Sequence, residues 1–87
     1  MGKGAVVTTF KIMPDSVKTN LDNVEKQIKE KIKPSKLERL PIAFGLNAII
    51  IVKVIEEEEG ELDRITEELK SISGVREVEV TNVARSW

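Results

Sequence analysis

The chain has 87 residues, of which 40% are hydrophobic and 33% charged, and its 14 basic and 15 acidic residues leave a net charge near −1. That describes one folded domain with a single small core, and it excludes both a disordered chain and the basic excess of a typical nucleic-acid binder. Cysteine, histidine and tyrosine are all absent, which removes disulfides, a thiolate nucleophile, zinc–thiolate sites and the commonest general base.

Composition therefore favours a binding module over an enzyme, with no metal and no cofactor expected. The opening MGKGAVVTTFK lacks the apolar core and small-residue cleavage site of a signal peptide. Val6 stands where a myristoylation signal needs Ser or Thr. No apolar run is long enough for a transmembrane helix. A cytoplasmic protein without membrane contact is expected.

Residues 5–13 alternate as a first strand, with Val6, Thr8, Phe10 and Ile12 on one face. Pro14 stops it. Thr19 or Asn20 can cap a first helix, in which Leu21, Val24, Ile28 and Ile32 form one apolar stripe. Acid comes early and lysine late along this helix, as the helix dipole favours, and its charges read as a solvated face. Pro34 ends it by disfavouring helical geometry at Lys33.

Residues 36–43 form a weaker strand, and Pro41 within it argues for a sheet edge. The apolar knuckle Pro41-Ile42-Ala43-Phe44-Gly45 follows and leads into the one strongly apolar run, residues 47–55. That run is rich in β-branched residues and alternates little, so it reads as a strand buried on both faces. The short interval makes the two strands a hairpin. Phe44 has two readings: an ordinary core or hairpin residue, or an exposed aromatic anchor for a partner.

Residues 56–60 are an acidic loop, Glu-Glu-Glu-Glu-Gly, without the spaced ligands of a calcium loop. It solubilises the end of an apolar strand and places negative charge before a second helix over residues 61–73. Leu62, Ile65, Leu69 and Ile72 are that helix's buried stripe, and Gly74 is its expected left-handed stop. Residues 76–83 are the last strand, with Val78 and Val80 facing the helices. The tail Ala84-Arg85-Ser86-Trp87 either folds back, frays, or reaches into a partner.

Strand, helix, strand, strand, helix, strand is the order of an α+β, ferredoxin-like βαββαβ sandwich. Right-handed crossovers place strands one and three at the centre of a four-stranded antiparallel sheet, with two helices on one face. The other face has no second layer, so some of Ile49, Ile51, Ile55 or their neighbours are left for a partner. An RNA-recognition sheet would carry stacking aromatics on the central strands, where Phe10 is the single candidate.

The stretch PIAFGL, followed by a long apolar strand and an acidic loop, closely resembles the guanine-nucleotide exchange domain of the elongation factor 1-beta family, in its short archaeal form. The opening VVTTFKIMPDS and closing VREVEVTNVARSW fit it too, so the resemblance covers nearly the whole chain as a single domain, residues 1–87. It implies a non-enzymatic exchange factor whose partner is the GDP-bound GTPase elongation factor 1-alpha. By that resemblance Phe44 docks into the GTPase, and Arg85 stands where eukaryotic members carry a lysine that reaches the magnesium and phosphate region. Arg in place of Lys, and Trp87 beyond the usual end, are departures from the family pattern. The candidate partner-binding residues are Pro41, Phe44, Gly45, Arg85 and Trp87. The exchange reading expects a monomer without direct nucleic-acid contact. Its rival is a ligand-binding regulatory domain acting as a homodimer.

Overall fold

In the computed structural model, residues 4–56 and 60–86 are described, with side chains for residues 4–56 and 60–84. The order is β1 (Ala5–Pro14), α1 (Leu21–Lys31), β2 (Lys36–Pro41), β3 (Asn47–Glu56), α2 (Glu61–Lys70) and β4 (Val75–Ser86). The strands form one antiparallel sheet in the order β2-β3-β1-β4. Both helices pack on one face, which is the ferredoxin-like arrangement expected from the element order.

The core follows from alternation along the two central strands. Phe10 and Ile12 of β1 meet Ile49, Ile51 and Ile55 of β3, and the helices cover them with Val24, Ile28, Ile32, Ile65, Leu69 and Ile72. Phe10 therefore belongs to the interior between sheet and helices, and the open sheet face has no aromatic side chain among the described residues.

The apolar run of β3 is not buried on both faces. Ile49, Ile51 and Ile55 are buried beneath the helices, whereas Ile50 and Val52 are half-buried and Val54 is exposed on the open face. The residues left uncovered are thus the neighbours of the three isoleucines, not the isoleucines themselves. Only one face of this sheet carries a helical layer, so a continuous apolar sequence still has a wet side.

Local chemistry fixes the helix ends. Asn20 caps α1: its Oδ1 accepts from the Asn23 N–H at 3.1 Å. The helix stops at Lys31. Ile32 forms the C-cap and Lys33, ahead of Pro34, turns to φ 55°. The second helix is shorter than its apolar stripe. It ends at Lys70, with Ser71 as C-cap, and Ile72 packs into the core from the following turn. Gly74 is consequently not the helix stop but part of the turn closed by the Val75 N–H on the Ile72 carbonyl at 3.2 Å.

That turn is where glycine is required on two counts. Gly74 has φ 94°, and a Cβ there would lie 2.9 Å from Thr19 Cγ2 and 3.2 Å from Val24 Cγ2. The turn also accepts the Asp15 N–H on the Gly74 carbonyl at 2.9 Å, tying it to the segment between β1 and α1.

The last strand is longer than the sequence pattern indicates. A register shift between Thr9 and Phe10 leaves Thr81 as the extra residue of a β-bulge. Beyond it, Asn82 to Ser86 continue to pair with Thr9 to Ala5. The segment after residue 83, read from sequence as a tail that folds back, frays or reaches a partner, is therefore sheet as far as Ser86. None of the described helices is long and apolar enough to cross a membrane.

Replacing Gly74 by alanine forces a side chain into a left-handed position against two methyl groups, and should cost about 2 kcal/mol. Thermal unfolding followed by circular dichroism should show the midpoint falling by roughly 10 °C for a domain this small. An unchanged midpoint would mean that the turn repacks freely.

Candidate partner-binding site

The knuckle between β2 and β3 is built on backbone geometry. The Leu46 N–H donates to the Ala43 carbonyl at 3.0 Å, and the Ile42 N–H donates to the Leu46 carbonyl at 2.9 Å. Phe44 and Gly45 are the two central residues of this turn, with φ 57° and 78°. Positive φ at both centres is what a tight hairpin turn with the right twist needs, and Asn, Asp or Gly usually supply it. Glycine at 45 fits that rule. Its Cβ would meet only Val17 Cγ1 at 3.8 Å, so the backbone angle, not space, asks for glycine.

Phenylalanine at 44 breaks the rule. A bulky side chain at positive φ is strained by roughly 1–3 kcal/mol. No burial offsets that cost, since Phe44 is 95% exposed. Of the two readings left open by the sequence, Phe44 is a hairpin residue and an exposed aromatic at once. Pro41 is the last residue of β2, opposite Asn47, and is also exposed. Its missing N–H is harmless on an edge strand.

Arg85 lies at the other end of the sheet. It pairs with Val6, which on its other side pairs with Ile55. The knuckle flanks Asn47, eight residues along β3 from Ile55, so the two candidate points are separated by about 26 Å of strand or more. The molecule measures 47 × 21 × 16 Å, with the sheet running along its length. Sequence brought Pro41, Phe44 and Gly45 together, and the fold keeps them together, but it does not bring Arg85 to them. Trp87 lies outside the described residues, as do Glu57, Glu58, Glu59 and the Arg85 side chain.

A charged clamp behind the knuckle went unread in the sequence. Arg39 of β2 donates from Nε to Glu25 and from Nη2 to Asp22, both on α1. These bonds, with Glu25 first and Asp22 second, raise the guanidinium above its ordinary pKa. Asp22 and Glu25 are thus not merely part of a solvated face. They hold down the edge strand that leads into Pro41. The signal was present as two acids three apart on one helix face, but the strand partner lies 14 and 17 residues away.

These observations define a class: a small ferredoxin-like domain that presents a strained aromatic on a hairpin at one end of its sheet and a paired C-terminal strand at the other. A family model described as the EF-1 guanine nucleotide exchange domain matches residues 7–85. The chain belongs to this family, and its role is guanine-nucleotide exchange in translation elongation. Curated relatives named elongation factor 1-beta agree. The protein of Methanothermobacter thermautotrophicus is 40% identical over 86 residues, covering 94% of this chain and 97% of the relative. That of Hyperthermus butylicus is 43% identical over 91 residues, covering 98% and 96%. That of Thermoplasma acidophilum is 32% identical over 85 residues, covering 93% and 97%. This is a family of exchange factors, not of catalytic enzymes.

The strain at Phe44 has a measurable sign. Asparagine tolerates the left-handed region, and an exposed ring has few contacts to lose. Phe44→Asn should therefore raise stability, by about 1 kcal/mol, in urea unfolding monitored at constant m-value. A drop in stability would show that the ring packs on the domain itself.

Proposed function

We propose that residues 1–87 act as one exchange domain on the GDP-bound GTPase elongation factor 1-alpha, as a cytoplasmic monomer that touches neither membrane nor nucleic acid directly. The observation that carries this reading is the exposure of Phe44 on a backbone that has to be strained to present it. An aromatic seated in a pocket is the usual dominant contact of a protein interface. Pro41 and Gly45 give the knuckle its shape, the one as an exposed edge residue and the other through its backbone angle.

The second contact is assigned to Arg85 and to Trp87, two residues further along the chain. Magnesium bridges the phosphates of a bound nucleotide and its charge holds them in the pocket. A guanidinium brought near that centre would repel the metal and compete for the phosphate oxygens. Nucleotide binding then loses part of its electrostatic support, and release accelerates about tenfold for each 1.4 kcal/mol lost relative to the barrier. Arg is always charged and planar, with forked donors suited to phosphate, so its geometry differs from that of an ammonium at this position. No bond is made or broken by the factor itself, which suits a chain without histidine or cysteine.

The spacing of the two ends bears on the division of labour. Anchoring at the knuckle and perturbation at the tail sit on opposite ends of a sheet that acts as a rigid spacer. The anchor then governs how much factor is bound, and the tail governs how fast nucleotide leaves.

The test is release of a fluorescent GDP from purified elongation factor 1-alpha, titrated with this protein at fixed magnesium. Phe44→Ala should raise the half-saturating concentration by at least thirtyfold, on the order of the 2 kcal/mol of an interface hot spot. Arg85→Ala should lower the maximal rate about tenfold with little change in half-saturation. No acceleration by the unaltered protein, together with a homodimer in light scattering, would replace this reading with that of a ligand-binding regulatory domain.

A further inference from the structure

Large apolar side chains are gathered at the knuckle end. Of the seven that are exposed among the described residues, four are there: Val17, Leu40, Ile42 and Phe44. The other three, Val54, Val80 and Val83, are spread over the open sheet face and β4. Val17 belongs to a different segment from the rest, the connection between β1 and α1. It is 60% exposed, between Ser16 and Lys18, where a polar residue would be the ordinary choice.

Two observations join Val17 to the knuckle. Its Cγ1 lies 3.8 Å from the position a Cβ would take on Gly45, so the valine methyl sits against the turn that carries Phe44. The segment bearing it is also held fast. The Ser16 N–H donates to Thr19 Oγ1 at 3.1 Å, and the Lys18 N–H donates to Ser16 Oγ at 3.2 Å. The Thr19 N–H donates to the Ser16 carbonyl at 3.2 Å, and the Asp15 N–H to Gly74 at 2.9 Å. An apolar residue fixed outward on a bonded loop loses little entropy when it is covered. Loops on a rigid scaffold are where binding residues concentrate.

We propose that Val17 and Ile42 enter the same apolar recess of the GTPase as Phe44, so that the anchor is a three-residue tip drawn from two loops. This rests on the exchange reading above and deepens it. The occupant of the tip is the GTPase because the tip is continuous with the proposed Phe44 contact: Ile42 is two residues away, and Val17 Cγ1 lies 3.8 Å from where a Cβ on Gly45 would stand. Its chemistry is a concave apolar surface wide enough for a ring and the branched side chains beside it. Asp15 and Lys18, both exposed, border the tip and supply the polar rim such contacts carry.

The experiment is the same GDP-release titration with Val17→Ser, Ile42→Ser, Val17→Leu and the double variant Val17→Ser/Phe44→Ala, alongside the unaltered protein and Phe44→Ala. Each serine substitution should raise the half-saturating concentration about fivefold at an unchanged maximal rate, as expected for losing part of one aliphatic contact. Val17→Leu should keep near-normal binding. The double variant should fall short of the product of the two single effects, because residues sharing one recess are coupled. Melting temperature should be unaltered by Val17→Ser, which separates lost docking from lost folding.

A normal half-saturation for Val17→Ser, with a raised one for Phe44→Ala, would overturn the composite tip and leave the Phe44 anchor standing. Normal half-saturation for Phe44→Ala itself would remove the anchor and the tip together. A dimer that Val17→Ser dissolves in light scattering would reassign the tip to a second copy of this chain and equally overturn the proposal.

Discussion

The pairing of β1 on both of its edges sets everything else in this molecule. It bonds to β3 from Ala5 to Ile12 and to β4 from Ala5 to Pro14. Those two ladders fix the sheet's length and place its connections at two opposite ends. The connection between β1 and α1, the knuckle between β2 and β3, and the turn before β4 share one end. The start of β1, the end of β3 at Glu56 and the close of β4 share the other. Any function that needs both Phe44 and Arg85 is bound by that geometry to act across the length of the domain.

Much of this architecture was legible in the sequence because it rests on local patterns. Thr8, Phe10 and Ile12 alternate plainly, the stripes of both helices have helical spacing, and Pro41 marks an edge. What was not legible arises between elements. The run from Ala48 to Ile55 is apolar except for Lys53, so little alternation was there to reveal that Ala48, Ile49, Ile51 and Ile55 would be buried while Ile50 and Val52 stay half-covered and Val54 exposed. Ile72 continues the spacing of α2 although the backbone has already left the helix. The bulge at Thr81 exists only in the pairing of two strands, and so does the continuation of β4 past residue 83, where the sequence pattern ends. The Arg39 clamp joins an edge strand to a helix face that a single-element reading treats as solvent.

The candidate site divides along the same line. Phe44 was noticed because it stands beside Gly45 in an otherwise apolar stretch, and its exposure needed the turn geometry to decide. Val17 carried no sequence signal beyond being an isolated valine among polar residues. Its place beside Gly45 brings together segments far apart in the sequence, and the bond from Asp15 to Gly74 in the same loop is likewise tertiary. Family resemblance named the candidate residues at the two ends of the sheet. The physical environment of each residue had to come from the fold.

The strain at Phe44 is the feature that the proposed docking role would account for. A hairpin selected only for stability would put Asn or Gly at 44, since either gives the same backbone angle with less conflict. An aromatic there costs folding energy and gains nothing from the domain's own core. The expense is sensible only if the ring is covered elsewhere. The ion pairs of Arg39 with α1 and the hydrogen bonds of the loop that bears Val17 lie next to this turn. A rigid tip surrenders little freedom on docking, so more of its apolar area appears as affinity. On the proposed reading, a chain with no histidine or cysteine to do chemistry would prepare for its function by fixing a side chain in an unfavourable pose before the partner arrives.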